Sequence, residues 1–256
     1  MTGAPLWERL RRGEGGLLAI NAAAVAFTQP PILVGASLIA ISALLLAAVY
    51  GINDWHDAED DRTNPKKNQK LVEALVEFRG PFFGWLCAIQ VSLVVLALAA
   101  IGPAAAVAVA VMVAINFTYS WWLKGVPVAD LVIVFAWGAS YVAIVTPPWS
   151  LCIVVGLMTG IMHVFQAYED RDVDIANNVA TTVAGWARAR SGAVALLCAG
   201  LYLALLGSLG PLLAVSAFLP VLLQRLFVDN AKAWMASRVY CGITVIAVLC
   251  VVHGYN

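Results

Sequence analysis

The sequence predicts an all-α protein, a polytopic membrane bundle of about nine transmembrane helices. Three observations carry that prediction. Of 256 residues, 62% are hydrophobic and only 12% are charged, a balance that water-soluble domains of this size do not show. The apolar residues are gathered into nine segments, most of them near the 20 or so residues that a helix needs to cross the hydrocarbon core. The charged residues stand almost entirely in alternate connections between those segments.

In chain order the apolar segments are 15–29, 32–54, 81–100, 102–121, 126–146, 149–168, 191–208, 210–228 and 233–253. The first is short, carries Asn21 and ends at Pro30-Pro31, because proline cannot continue a helix. Gly102-Pro103, Pro147-Pro148 and Gly210-Pro211 mark three further turns, too tight to hold a site. Residues 1–256 read as a single integral-membrane domain, since no polar segment is long enough for a separate soluble one. The start, Met1 to Glu14, is polar and precedes a stretch with no small-residue cleavage site, so no signal peptide is expected. Five cysteines scattered through apolar runs, with no CxxC pair, read as small packing residues. Asn21, Gln90 and Gln166 read as interhelical hydrogen-bond partners, Asp130 as a helix N-cap, and most tryptophans, Trp121 and Trp122 among them, as an interfacial belt.

With nine helices, the N-terminus and every second connection share one side. All fifteen basic residues fall there or at adjoining helix ends: Arg9, Arg11, Arg12, Arg62, Lys66, Lys67, Lys70, Arg79, Lys124, Arg171, Arg188, Arg190, Arg225, Lys232 and Arg238. The positive-inside rule makes that side cytoplasmic. The fifteen acids lie there too. Acids contribute little to orientation, so their gathering suggests a polar working surface. Formal net charge is zero, and no nucleic-acid partner is expected.

Two acidic clusters stand out. Asn53-Asp54-Trp55-His56-Asp57-Ala58-Glu59-Asp60-Asp61 puts five acids in nine residues after the apolar run Ile32–Ile52. On a continued helix Asp54, Asp57 and Asp61 share a face. There they meet the negative end of the helix dipole and one another, which calls for a cation. Oxygen-only ligands suit Mg²⁺, which keeps waters and bridges carboxylates to phosphate. The alternative is a solvated acidic loop. The second cluster, Tyr168-Glu169-Asp170-Arg171-Asp172-Val173-Asp174, also places two carboxylates, Asp170 and Asp174, on one face. Facing walls of this kind could hold two Mg²⁺ ions with a diphosphate between them.

Asn53-Asp-x-x-Asp57-x-x-x-Asp61 followed by Arg62-Thr-Asn-Pro65 resembles the first aspartate motif of the UbiA superfamily of intramembrane prenyltransferases, and Asp170-x-x-x-Asp174 resembles the second. Tyr119 to Lys124, with Gly125 to Asp130 after it, resembles the segment that follows the fourth helix in that family. Thr181-Thr182-Val183-Ala184 resembles the stretch after the second motif. The resemblance implies a UbiA-like bundle in which Asn53, Asp54, Asp57 and Asp61 bind one Mg²⁺ and Asp170 and Asp174 the other. Asp54, Asp57, Asp170 and Asp174 are then the catalytic set. Arg62, Lys67, Lys70 and Lys124 become the diphosphate contacts, with Arg171 standing in for a basic residue absent at Val179 and Ala180. Tyr119, His163 and Tyr168 are assigned to the substrate pocket. Asn178 replaces a common glycine, and an Arg-Pro pair often found at the first helix is missing, which leaves the acceptor end undetermined.

The implied activity is Mg²⁺-dependent ionisation of a prenyl diphosphate and transfer of the prenyl group to a lipophilic acceptor, such as an aromatic ring. An intramembrane terpene cyclase, in which the substrate's own double bond is the nucleophile, is the rival within the resemblance. A cation or lipid-phosphate transporter is the rival outside it, against which the acids sit at the rim and not at mid-bilayer.

Overall fold

A computed structural model describes residues 15–64, 67–145, 148–176, 179–185, 189–227 and 229–254. Arg9, Arg11, Arg12, Pro65, Lys66, Pro147, Asn178 and Arg188 lie outside the described residues. The described chain is helical throughout. In order it forms α1 (Gly15–Thr28), α2 (Ile32–Asp57), α3 (Gln69–Glu77), α4 (Arg79–Ala100), α5 (Pro103–Thr118), α6 (Ala129–Ala143), α7 (Trp149–Ala176), α8 (Thr182–Gly185), α9 (Ala189–Leu209), α10 (Pro211–Leu226, with a 3-10 stretch at Val215–Phe218) and α11 (Asn230–Val252). Each of the nine expected apolar segments corresponds to one apolar helix. Six of these are long and apolar enough to cross a membrane, while α1, α6 and α10 are shorter. The protein is therefore an integral membrane protein. The sequence pattern did not show α3, a nine-residue amphipathic helix inside the first polar connection that buries Val72 and Leu75.

Two helices are overlong. α2 has 26 residues and α7 has 28, about 39 and 42 Å of helix against about 30 Å of hydrocarbon. Both acidic clusters stand at the C-terminal ends of these two helices.

Packing divides into two adjoining cores. Leu38, Ile41, Leu45, Met112 and Tyr141 centre one, built from α2, α4, α5 and α6. Val155, Ile161, Phe165, Leu201 and Val245 centre the other, around α7, α9 and α11. The junction is α6 against α7. A Cβ on Gly138 would come within 2.2 Å of Thr159 Oγ1, and one on Gly156 within 2.8 Å of Phe135, so close approach of the two backbones requires glycine at both. Buried amides fasten the helices as expected for two of the three read that way. Asn21 donates to Ser42 Oγ at 2.9 Å and to the Tyr141 carbonyl at 3.1 Å, and Gln90 donates to the Ala48 carbonyl at 3.4 Å. Gln166 differs: it is exposed and faces the cavity described next.

Candidate active site

A cavity of about 600 Å³ runs down from the acidic ends of α2 and α7. Its deeper wall is apolar, with Val49, Ile115, Ile133, Trp137, Val155 and Met158. Its mouth is polar. From the first cluster Asn53, Asp54, Asp57, Asp60 and Asp61 line it, and from the second Glu169, Asp170 and Asp174. Helix α3 covers part of the mouth through Leu71, Val72 and Leu75. Gln69 anchors that cover, donating to the carbonyls of Asn64 at 2.7 Å and Asp61 at 3.3 Å.

The first wall is heavily cross-linked. Asn53 Nδ2 donates to Asp57 Oδ2 at 3.1 Å, His56 Nδ1 lies 3.2 Å from Asp57 Oδ1, and Lys124 Nζ donates to Asp57 Oδ2. Lys67 Nζ stands 3.0 Å from Asp61 Oδ2. His56 sits at the edge of an aromatic cluster, 5.1 Å from the Trp121 ring, which stacks on Phe117 at 5.1 Å. Trp121 and Trp122 are both exposed, Trp121 also reaching this aromatic cluster.

Lys124 reaches Asp57 because of a local irregularity. After Thr118 the chain makes a π-helical turn over Tyr119–Leu123, and Lys124 N–H donates to the Tyr119 carbonyl at 2.9 Å. Five residues of ordinary α-helix would turn Tyr119 and Lys124 about 140° apart. The wider turn lets both line the cavity, in keeping with the frequent use of such bulges at functional sites.

Asp130 corrects the N-cap reading. It lies inside the first turn of α6, after the N-cap Val128, and is fully buried. Its Oδ2 accepts from Thr182 N–H at 2.9 Å, its Oδ1 accepts from Thr182 Oγ1, and His163 Nε2 is 3.8 Å away. Thr182 Oγ1 in turn accepts from Val128 N–H at 2.6 Å. Val128 has φ +71°, an unfavourable conformation for a β-branched residue, and this bond holds it there. The carboxylate therefore ties the start of α6 to the 181–182 segment. His163 Nε2, on α7, is buried without a hydrogen-bond partner, and the His163 ring lies 6.2 Å from that of Tyr119.

Of the residues singled out in the sequence, Asn53, Asp54, Asp57, Asp61, Lys67, Tyr119, Lys124, His163, Asp170 and Asp174 line the cavity. Arg62, Lys70, Arg171 and Tyr168 do not. Arg62 is exposed and pairs with Glu59 at 3.0 Å; Lys70 is exposed on α3. Tyr168 turns outward beneath the Arg190 guanidinium, whose carbon is 4.2 Å from the ring centre. The sequence reading passed over Asn116, which lines the cavity and donates to the Val49 carbonyl at 3.2 Å, although a lone amide in an apolar run was the signal used for Asn21. It also passed over Trp234 and Arg238 on α11.

The donor set at the mouth is carboxylate, carboxamide and ammonium. Among the described residues no three His, Cys, Asp or Glu side chains form a ready-made metal cage. One atom nonetheless asks for a cation: Asn53 Oδ1 is buried with no hydrogen-bond partner, beside Asp54 and Asp57. Oxygen donors with an unspent carbonyl oxygen suit a hard cation that takes its remaining ligands from water and phosphate.

Fold and mouth together define an integral membrane protein with a polar, carboxylate-rich mouth over an apolar cavity. The particular family follows from sequence. The profile of the UbiA prenyltransferase family matches residues 16–250, and the chain belongs to that family, whose activity is of prenyltransferase type. Solved structures agree on the fold. A UbiA homolog from Archaeoglobus fulgidus bound to GPP and Mg²⁺ superposes with a TM-score of 0.71 at 16% identity, covering 97% of this chain and 99% of that one. The same homolog bound to DMAPP and Mg²⁺ gives 0.68 at 17% identity, covering 93% and 98%. A search by sequence among curated proteins finds no significant match.

Proposed function

We propose that the protein is a Mg²⁺-dependent intramembrane enzyme that ionises a prenyl diphosphate and transfers the prenyl group to a lipophilic acceptor. The observation that carries the reading is the pair of carboxylate walls standing over an apolar cavity, with the unsatisfied Asn53 Oδ1 between them and the lysines. Family membership supports it, as do the GPP, DMAPP and Mg²⁺ held by the archaeal homolog. Two Mg²⁺ ions are assigned, one to Asn53, Asp54, Asp57 and Asp61 and one to Asp170 and Asp174. Bound there, they neutralise the diphosphate and its developing charge.

The chain's own residues do the rest. Lys67 and Lys124 exchange their carboxylate partners for diphosphate oxygens, as point charges suited to phosphate. The allylic carbon–oxygen bond breaks, and its electron pair leaves with the diphosphate. The acceptor supplies the pair that forms the new bond to that carbon, and its displaced proton leaves through the polar mouth. Trp137, Ile133 and Met158 keep water from the cation. The basic side, and with it the acidic mouth, is assigned to the cytoplasm by the positive-inside rule, and residues 1–256 are read as one domain.

The test is an incubation of purified protein with geranyl, farnesyl and geranylgeranyl diphosphates, with and without Mg²⁺ and with a panel of aromatic and lipid acceptors. Diphosphate release and organic products are followed together. Mg²⁺-dependent release coupled to a prenylated acceptor is expected. A cyclic product formed without acceptor would replace transfer by cyclisation, and Mg²⁺-independent binding with no turnover would overturn the enzyme reading.

A further inference from the structure

The carboxylate walls are assigned to the diphosphate, and the tail that follows it has to end somewhere in the cavity. The far end of the cavity is closed by a built floor. Moving away from the mouth, α1 leaves the wall at Ile20, α2 at Val49, α5 at Ile115, α6 at Trp137 and α7 at Val155. Trp137 is the largest of these side chains, and only 8% of it is exposed. One turn further along α6, the Tyr141 ring lies nearly parallel to the indole, with centroids 5.9 Å apart and planes 7° apart. The Tyr50 ring meets the indole at 5.8 Å and 62°. Tyr141 is fully buried and is pinned at both ends. Its hydroxyl donates to the Ser42 carbonyl at 3.2 Å, and its own carbonyl accepts from Asn21, which also donates to Ser42 Oγ. Gly138, next to Trp137 in the chain, is pressed against Thr159. The indole therefore has a hydrogen-bonded platform behind it and little slack in its own backbone.

The depth above that floor follows from helical rise. Seven residues separate Asp130 from Trp137 on α6, about 10 Å, and eight separate Asp57 from Val49 on α2, about 12 Å. A carbon chain drawn out like an extended backbone, about 3.5 Å for every three bonds, makes a geranyl tail about 8 Å long and a geranylgeranyl tail about 17 Å long. The shorter tail ends above the indole, and the longer one does not. Resting on the prenyl diphosphate reading, we propose that Trp137, braced by Tyr141, sets the longest prenyl chain, and that the substrate is a short-chain diphosphate, geranyl in preference to geranylgeranyl. A longer tail has to fold back on itself or push the indole out of its stack, and a packed site resists such overfilling.

The experiment measures binding of non-ionisable thiolo analogues of geranyl and geranylgeranyl diphosphate to the full-length protein, with Mg²⁺ and at one detergent concentration. The unaltered protein should bind the geranyl analogue about tenfold tighter. Trp137→Ala should remove that preference, and Trp137→Phe, with a smaller ring, should keep part of it. Ile133 lines the same wall one turn nearer the mouth. Ile133→Trp raises the floor and should weaken the geranyl analogue about tenfold relative to a dimethylallyl analogue. Inorganic diphosphate has no tail and should bind in every variant, which separates a changed floor from a lost fold. Equal binding of the two analogues to the unaltered protein overturns the proposal and means that the tail leaves sideways into lipid. An undiminished preference in a Trp137→Ala protein that binds diphosphate overturns it too. Should Trp137→Ala not bind diphosphate, Ile133→Trp decides, and an unchanged ratio of geranyl to dimethylallyl binding there overturns the floor. Failure of the unaltered protein to bind any of the analogues overturns the prenyl diphosphate reading instead.

Discussion

The two acidic walls face one cavity and are built in opposite ways. At the end of α2 the chain supplies its own counter-ions: Lys124 for Asp57 and Lys67 for Asp61, with Asn53 and His56 closing around the first pair. At the end of α7 the Asp174 side chain makes no hydrogen bond or ion pair among the described residues, and Asp170 stands one helical turn before it. Two carboxylates of the first wall are thus paired before any ligand arrives. At the second, Asp170 stands one helical turn from Asp174, and like charges at that spacing repel. Part of the fold's stability lives at the first wall, and the second adds like charge to the same mouth.

The sharpest way to break that contrast is Asp174→Asn. It should reduce Mg²⁺-dependent diphosphate release by a factor on the order of a thousand, the scale of losing one preorganised electrostatic group. The metal-free melting temperature should hold or rise, because like charges one turn apart destabilise a helix. A clear drop in melting temperature would make Asp174 structural and erase the distinction.

Lys124→Met should act on both properties. Asp57 would be left in place without its ammonium; the two side chains are 10% and 26% exposed. Breaking a fully buried pair costs about 3–5 kcal/mol, which the partial exposure of Lys124 reduces to about 2 kcal/mol. Turnover should fall about a hundredfold. Adding Asp57→Asn to Lys124→Met should restore most of the melting temperature and none of the activity. Additive stability losses in the double-mutant cycle would show that the pair is not coupled.

Ligand linkage is the next smaller effect. Mg²⁺ with the thiolo analogue at about a hundred times its dissociation constant should stabilise the protein by about 2.7 kcal/mol. The shift should vanish on chelation and in Asp174→Asn. Persistence in Asp174→Asn would place the metal wholly on the first wall.

The smallest effect is expected at Arg62 and Lys70. Both belong to the first motif region in sequence, and neither lines the cavity. Arg62→Ala breaks only an exposed pair with Glu59, worth at most about 1 kcal/mol, and turnover in either alanine variant should stay within about twofold of the unaltered protein. A large loss would mean that the first wall extends beyond the residues seen around the cavity.

Much of this was legible because hydrophobicity acts locally. Each apolar segment became a helix, and the tight Gly-Pro and Pro-Pro breaks ended helices where proline must. The acidic residues that share a helical face do line one cavity. What escaped depends on contacts across the chain. Asp130 looks like a cap because a lone Asp after a turn usually is one, and its true partner, Thr182, lies 52 residues on. Gln166 and Asn21 are the same kind of signal, a lone amide in an apolar run, yet one faces a cavity and the other a neighbouring helix. Arg62 stands beside Asp61 in sequence, but the short 3-10 turn at Asp60–Thr63 sends the two side chains different ways.

The π-helical turn at Tyr119–Leu123 makes spacing itself a functional variable. Lys124 meets Asp57 only because that turn absorbs one more residue than an α-helical turn of the same reach. Removing one residue there would restore ordinary winding with Tyr119 and Lys124 four residues and about 40° apart, still on one face; winding all five residues as plain α-helix would instead set them about 140° apart. The bulge thus carries an extra residue through this stretch while keeping Lys124 in register with the cavity.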